Sequence, residues 1–117
     1  MRVERVVPNL TVCDLPAATR EHSAVLGLRV LMDHEWIVTL GDDDGHQLSL
    51  LTEDATAPVN PDVSVFVDDV REALGRVEQT DLEIVHPLTD EPCGVTRFFY
   101  RASDGRVINV GMHTTTD

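Results

Sequence analysis

The chain contains no lysine, and all nine basic residues among its 117 residues are arginines. Schiff-base and lysine-nucleophile chemistry are therefore excluded. The arginines are outnumbered by 21 acidic residues, which gives a formal net charge of -12. An acidic field disfavours nucleic acid and anionic membranes, attracts cationic ligands and also serves solubility. We therefore expect no nucleic-acid partner and no membrane partner.

Cysteines and long apolar runs are also scarce. Cys13 and Cys93 are too few for a disulfide framework and lack metal-type spacing, so we expect two reduced thiols. The N-terminal residues contain no apolar segment of the kind found in signal peptides, and no window approaches the length of a membrane span. These features predict a cytoplasmic protein.

The chain contains an internal repeat. Residues 62–70 are an edited copy of residues 7–15, and an offset of 55 positions places Val12 on Val67 and Asp14 on Asp69. A second match places residues 44–50 on residues 104–110. Two copies in the same order predict two copies of one structural module.

The first copy has the pattern of a strand, a helix and three further strands. Asp14 is a good N-cap, Pro16 is tolerated in the first turn, and Gly27 ends the helix. The apolar stripe of this helix is Leu15, Ala18, His22, Val25 and Leu26. Strands are expected at 6–13, 28–34, 36–40 and 46–51.

The turn at residues 41–45 holds three consecutive aspartates between two glycines. Its spacing lacks the alternating ligands and distal glutamate of a calcium-binding EF-hand loop, so we interpret it as a solvated hairpin turn. Residues 52–61 contain two prolines and no periodicity, which predicts a linker.

The second copy repeats the plan, with a helix from Asp69 to about Gln79. Strands are expected at 62–68, 82–86, 96–101 and 106–112. Residues 87–94 are acidic and bounded by prolines, and we interpret them as a loop that could contact a ligand.

The doubled module resembles the vicinal oxygen chelate superfamily, which contains glyoxalase I, bleomycin-resistance proteins and extradiol dioxygenases. The resemblance rests on residues 12–15, 25–28, 67–70 and 104–110, while residues 83–92 are similar to a bacterial glyoxalase/bleomycin-resistance-like subgroup. It implies an α+β fold of two tandem βαβββ modules, with curled mixed sheets forming a cleft and helices outside. The chain would be one domain, 1–117, with module one at about 5–51 and module two at about 62–113.

Enzymes of this superfamily place four metal ligands in the cleft. The motif pairings carry those positions onto Val7, Ser49, Asp62 and Asn109. Only Asp62 is a good ligand, whereas catalytic divalent metals usually need about three histidine or carboxylate ligands. We therefore expect no metal and no other cofactor.

Strand alternation predicts which residues line the cleft. The set combines one carboxylate, several neutral hydrogen-bonding groups and an aromatic ring, a composition that suits a small-molecule site. Its members are Asn9, Thr11, Gln47, Ser49, Asp62, Ser64, Phe66, Val107 and Asn109. Trp36, Phe98, Phe99 and Tyr100 could add stacking surface, but alternation leaves their direction open.

The first functional hypothesis is a metal-free protein of the bleomycin-resistance type that binds a cationic or aromatic, antibiotic-like small molecule. On that hypothesis Asp62 contacts the cation, so Asp62→Asn weakens its binding. The alternative is a lyase, isomerase or dioxygenase that uses a divalent metal with atypical ligands, or Asp62 as a general base. A non-catalytic interaction or regulatory module is a third possibility, and a homodimer is expected in each case.

Overall fold

A computed structural model describes residues 1–114 of the chain. The elements in chain order are β1 (Val3–Thr11), α1 (Leu15–Leu26), β2 (Arg29–Asp33), β3 (Ile37–Gly41), β4 (Gln47–Leu51), β5 (Val63–Val67), α2 (Val70–Glu78), β6 (Glu83–Glu91), β7 (Val95–Arg101) and β8 (Val107–His113). The strands are hydrogen-bonded in the order β2-β3-β4-β1-β5-β8-β7-β6. This mixed sheet with two helices confirms the α+β class and the repeated βαβββ order.

The first strand of each module pairs in parallel with the last strand of the same module, β1 with β4 and β5 with β8. The remaining pairs within the modules are antiparallel. A parallel pair needs a crossover connection, and the helix together with the two intervening strands supplies it. The two modules therefore have the same topology, as the sequence repeat predicts.

The chain forms two compact units. The N-terminal unit is Val7–Asn60, and the C-terminal unit consists of Met1–Val6 together with the residues from Pro61 onward. β1 begins at Val3, three residues before the start predicted from the sequence. Its first residues belong to the C-terminal unit, where the backbone N–H of Arg2 donates to the Asp68 carboxylate at 2.6 Å.

The core of the N-terminal unit lies between α1 and its strands. Leu15 and Ala18 of the helix pack on Val38, Leu40 and Leu50. The predicted caps are present: the Asp14 carboxylate accepts from the N–H of Ala17 at 3.0 Å, and Gly27 ends the helix with φ 69°.

The predicted apolar stripe of α1 is only partly correct. Val25 is 81% exposed and Leu26 is 53% exposed, so the last turn of the helix does not pack into the core. The stripe was predicted from helical spacing alone. Spacing shows which face of a helix is apolar, but it does not show how much of the helix length is covered by the sheet.

The core of the C-terminal unit has the same arrangement. Val70 and Ala73 of α2 pack on Val67, Phe98 and Val110. The helix begins after Asp69, whose carboxylate accepts from the N–H of Glu72 at 3.0 Å. Phe98 and Tyr100 therefore belong to the helix-covered face, a direction that alternation alone left open.

The interpretation of residues 87–94 as a loop is wrong. Strand β6 continues through Glu91, and only residues 92–94 form a turn before β7. The loop was predicted because proline cannot donate a ladder hydrogen bond and so interrupts a strand in the middle of a sheet. An edge strand tolerates proline. β6 is such an edge strand.

No helix among the described residues is long and apolar enough to cross a membrane. Cys13 and Cys93 are both free thiols on the surface, as the sequence predicts.

Truncating the core beneath α1 should destabilise the protein markedly. Leu40 is fully buried, so Leu40→Ala should lower the free energy of unfolding by about 2–5 kcal/mol. Val25→Ala, on the exposed end of α1, is the matched control and should change it by less than about 0.5 kcal/mol. Urea denaturation of both variants checks the difference, and equal losses would contradict the core assignment.

Candidate functional site

The strands of the C-terminal unit carry a second set of side chains on the face opposite α2. Cross-strand pairing places Ser64, Asn109, Phe99 and His86 in one row, since each is the register partner of the next. Paired residues point to the same side of a sheet. We call this side, together with the groups that contact it, the polar face: Arg5, Ser64, Phe66, His86, Glu91, Arg97, Phe99, Asn109 and His113.

A bulge in β6 brings two of these residues to the same side. His86 and Glu91 are five positions apart, so simple alternation would place them on opposite sides of the strand. The register shifts between His86 and Thr89, where three residues of β6 span two residues of β7. The extra residue reverses the alternation, and Glu91 then points toward His86. Bulges commonly re-aim side chains in this way and are frequent beside active sites.

Glu91 joins His86 and Arg97 in a buried cluster. Its Oε1 atom lies 3.2 Å from His86 Nε2 and accepts from Arg97 Nε at 3.0 Å. The side chains are only 8% exposed for Glu91 and 11% exposed for His86 and Arg97. Phe99 packs against both partners, with its ring 5.0 Å from the His86 ring and 5.0 Å from the Arg97 guanidinium carbon.

A second cluster lies at the more exposed end of the polar face. The Arg5 guanidinium lies over the Phe66 ring at 4.1 Å, and the His113 ring is stacked on Phe66 at 4.8 Å. Arg5 Nη2 is 2.8 Å from His113 Nε2. A guanidinium has no acceptor atom, so Arg5 donates and His113 accepts through an unprotonated Nε2. Desolvation by burial, followed by the charge of Arg5, lowers the pKa of His113.

One buried atom of the polar face has no hydrogen-bond partner within residues 1–114. Asn109 is 6% exposed, and its Nδ2 donates to the Ser64 hydroxyl at 3.0 Å, but its Oδ1 accepts no bond. Buried polar atoms are nearly always paired, so an orphan acceptor calls for an explanation such as a ligand or a water.

The predicted site residues of the N-terminal unit form a similar row. Asn9 is the register partner of Ser49, and Ser49 is the partner of Thr39. The hydroxyls of Thr39 and Ser49 are 2.9 Å apart and buried. Gln47 lies two residues before Ser49 on the same strand, so alternation places both on the same face.

Thr11 lies two residues after Asn9 on β1, so alternation places it on the same face, at the end of the strand beside the linker. It lines a hollow of about 360 Å³ together with residues from the 53–60 segment. Asn60 closes this segment, because its amide donates to Thr11 Oγ1 at 3.1 Å and to the Thr52 carbonyl at 3.0 Å. The predicted linker is therefore an ordered part of the N-terminal unit.

Asp62 is held by the backbone of Val107. The N–H of Asp62 donates to the Val107 carbonyl at 2.8 Å, and the Asp62 Oδ2 accepts from the Val107 N–H at 2.8 Å. The carboxylate thus extends the β5–β8 ladder by one pair. Val107 itself is buried and shares its strand face with Asn109, as predicted.

The residues at the four carried-over metal positions do not fit a catalytic metal. Val7 has no donor, the Ser49 hydroxyl is bonded to Thr39, and Asn109 bonds Ser64. Asp62 already accepts from a backbone amide. Divalent metals used in catalysis need about three strong ligands, and this set offers one.

Within residues 1–114, one group of three potential metal ligands comes together, at the turn after β3. It consists of Asp42, Asp44 and His46. Asp42 accepts from the N–H groups of Asp44 at 2.9 Å and His46 at 3.1 Å, and its Oδ2 is 2.9 Å from His46 Nδ1. The aspartates and the histidine bond to each other in a turn, in agreement with the solvated hairpin expected from the sequence.

Comparison with known proteins gives the family. A model of the Glyoxalase/Bleomycin resistance protein/Dioxygenase superfamily matches residues 2–110. The chain belongs to this superfamily. No match is found among curated proteins.

Solved structures agree in fold. A superfamily member from Vibrio splendidus 12B01 is 21% identical with a TM-score of 0.70, covering 96% of this chain and 99% of its own. Methylmalonyl-CoA epimerase from Mycobacterium tuberculosis is 13% identical with a TM-score of 0.68, covering 97% and 88%. A chain described as NAD-dependent benzaldehyde dehydrogenase from Legionella pneumophila is 13% identical with a TM-score of 0.76, covering 93% and 99%. At such identities the likeness establishes the fold alone.

Several residues of the polar face were not predicted from the sequence: Arg5, His86, Glu91, Arg97 and His113. Phe99 was named as an aromatic residue that could add stacking surface, with its direction left open. Arg97 and Phe99 alternate with the core residues Phe98 and Tyr100, so a strand assignment would place them opposite the helix. His86 and Glu91 gave no such signal because the bulge breaks the alternation between them.

The His113 contact predicts a pH-dependent stability. The pKa of His113 is lowered by folding, so the unfolded chain binds the proton more readily. The contribution of neutral His113 is therefore complete above about pH 6.5 and is lost as the pH falls toward the folded pKa. From pH 7.5 to 5.5 it should decrease by less than about 1 kcal/mol, since the ring is partly exposed.

Denaturation of His113→Gln across this range checks the effect, since the variant should lose less stability on acidification than the parent protein. His46→Gln is the control of opposite sign. A hydrogen bond to Asp42 raises the pKa of His46, so its contribution is present at low pH and fades as the pH rises. An identical pH dependence in His113→Gln and the parent would contradict the Arg5–His113 contact.

Metal should not stabilise this protein. After treatment with a chelator, adding Zn²⁺, Ni²⁺, Mn²⁺ or Fe²⁺ should leave the melting temperature unchanged, since the carried-over positions supply one strong ligand. Metal analysis of the purified protein and thermal melting check this expectation. Stoichiometric metal with a raised melting temperature would contradict it.

Proposed function

We propose that the chain is a metal-independent small-molecule binding protein whose ligand is a planar aromatic acid held on the polar face. The observation that carries this proposal is the Arg5–Phe66–His113 cluster, in which a cation and a histidine lie against one aromatic ring. Sites for small ligands combine aromatic walls with a few placed polar groups, and this cluster has that composition.

The charge of the cluster favours an anion. Arg5 has a planar guanidinium that suits the two oxygens of a carboxylate. Burial lowers the pKa of Arg5, because the guanidinium charge is partly desolvated, and electrostatic interactions are stronger in such an environment than in water. The Phe66 ring holds both the Arg5 guanidinium and the His113 ring in place, so their polar groups are oriented before a ligand arrives.

Asn109 supports a ligand that also carries a donor. Its buried Oδ1 has no partner in the described part of the chain, and a hydroxyl or N–H group would satisfy it. A phenolic acid has both features, a carboxylate for Arg5 and a hydroxyl for Asn109.

A cationic ligand is the second candidate, and the net charge of -12 favours it by attraction at long range. It is the weaker candidate at contact. The Asp62 carboxylate that was expected to bind the cation already accepts from the Val107 N–H. An enzyme of the superfamily that works without metal is a further possibility.

A pair of isosteric probes separates the two candidates. 4-Hydroxybenzoate and 4-hydroxybenzamidine have the same planar ring and hydroxyl but opposite charges. We expect calorimetry to detect the benzoate with higher affinity, and Arg5→Gln to weaken it at least about tenfold, since a hydrogen bond to a charged group contributes about 1.5–3 kcal/mol.

Arg2→Gln is the matched control for this experiment. Arg2 precedes β1, and its side chain is 78% exposed, so the substitution removes the same charge without touching the cluster. It should leave the affinity for the benzoate unchanged. Preference for the benzamidine, abolished by Asp62→Ala and unaffected by Arg5→Gln, would contradict the proposal and support the cationic ligand.

The homodimer and the cytoplasmic location expected from the sequence remain part of the proposal. Two exposed free thiols suit a reducing compartment. Sedimentation of the purified protein measures the oligomeric state directly.

A further inference from the structure

The polar face contains a buried histidine that ligand binding alone does not use. His86 lies in the same row as Asn109 and Phe99, and its Nε2 faces the Glu91 carboxylate at 3.2 Å. An ionised carboxylate can only accept a hydrogen bond, so the ring nitrogen that faces Glu91, Nε2, carries the hydrogen. In the neutral imidazole the other nitrogen, Nδ1, then keeps its lone pair. No hydrogen bond of Nδ1 is found within residues 1–114.

This arrangement is that of an oriented base. A carboxylate that holds one ring nitrogen fixes the tautomer and direction of the imidazole and stabilises the cation formed when the other nitrogen takes a proton. Arg97 donates to the same oxygen of Glu91 at 3.0 Å, and Phe99 packs against the ring of His86. The His86 ring is thus held by a hydrogen bond to the Glu91–Arg97 pair and by contact with Phe99.

The bulge in β6 supports a functional role for the pair. Without the extra residue between His86 and Thr89, Glu91 would point to the helix-covered side and could not reach the ring. Bulges that re-aim a side chain in this way are over-represented next to active sites.

We propose that His86 is a catalytic base that takes a proton from a carbon acid bound on the polar face, with Glu91 as the positioning residue. The substrate class is a planar conjugated compound with an acidic C–H group. The Nδ1 lone pair takes the proton, the C–H electron pair stays in the conjugated system of the substrate, and the imidazolium then returns the proton to a different atom of that anion, which gives an isomer. No oxidant, reductant or metal is required.

The inference rests on the ligand site proposed above and assigns the base role to His86 rather than to Asp62, which the sequence favoured. Asp62 accepts from a backbone amide and ends a strand ladder, whereas His86 belongs to the row of Asn109. The lack of lysine removes one common source of unspecific base activity from the chain.

The test uses 5-nitrobenzisoxazole, a planar carbon acid that requires only a base. Removal of its C3 proton breaks the N–O bond and gives 2-cyano-4-nitrophenolate, which is followed by its absorbance. We expect turnover by the full chain and a loss of about 100-fold or more in kcat/KM in His86→Gln, the usual range for a lost general base. His34→Gln, an exposed histidine of the N-terminal unit, is the control and should keep full activity.

Further variants separate a chemical role from a structural one. Glu91→Gln should lower kcat with little change in KM, and added imidazole should restore turnover in His86→Ala. Turnover in His86→Gln within twofold of the parent would overturn the proposal. So would a ¹⁵N spectrum of the unmodified protein that places the His86 hydrogen on Nδ1, a result that does not depend on any variant folding.

The result can be distinguished from a failure of the proposed function. If 4-hydroxybenzoate binds through Arg5 but the probe is not turned over, the binding proposal stands and the base role of His86 is wrong. If the probe is turned over through His86 while the benzoate does not bind, the base role stands and the ligand class is wrong.

Discussion

Glu91 is the buried acceptor on which the polar face of the C-terminal unit depends. It bonds both His86 and Arg97 through one oxygen, and all three side chains are at least 89% buried. Buried charges are tolerated only when they are paired and hydrogen-bonded, and removing one partner of such a pair costs about 3–5 kcal/mol. The side of the strand to which Glu91 points is set by the register shift between His86 and Thr89, and another shift, between Ile84 and His86, precedes it in the same edge strand.

The strands of the C-terminal unit have two faces of different composition. The face under α2 is apolar, with Phe98, Val110 and Val67 as its centre. The opposite face carries aromatic rings interleaved with arginine, histidine and asparagine. A domain that needed only stability would bury a second apolar layer, because polar groups contribute little net stability once their desolvation is counted. This polar lining supports the proposal that the face binds a ligand.

Much of the fold follows from the sequence, because the signals are local. Asp14 and Asp69 cap helices that begin one residue later, Gly27 ends α1 in a left-handed conformation, and the repeat gives two equal modules. The candidate site follows only in part. Ser64, Asn109 and Phe66 were predicted from alternation, and the structure places them on one face.

The remainder depends on long-range pairing. His86 is opposite Phe99 only because β6 is an edge strand with a bulge, and Arg5 meets His113 across 108 residues of sequence. Pro87 is a residue type that usually interrupts strands, so the sequence predicted no strand through it. No local sequence signal predicts the bulge in β6. The net charge of -12 also gave no indication that two arginines, Arg5 and Arg97, lie against aromatic rings on this face.

The most direct measurement is a side-chain ¹⁵N NMR titration of the protein with 4-hydroxybenzoate. It follows the Arg5 guanidinium, the Asn109 amide and the ring nitrogens of His113 and His86, and so locates the ligand without any substitution. We expect saturable shifts of the Arg5, Asn109 and His113 signals, because these groups would contact the carboxylate and hydroxyl of the ligand. Unchanged signals from these residues, or shifts confined to the hollow at Thr11 and Asn60, would contradict the assignment of the polar face as the ligand site.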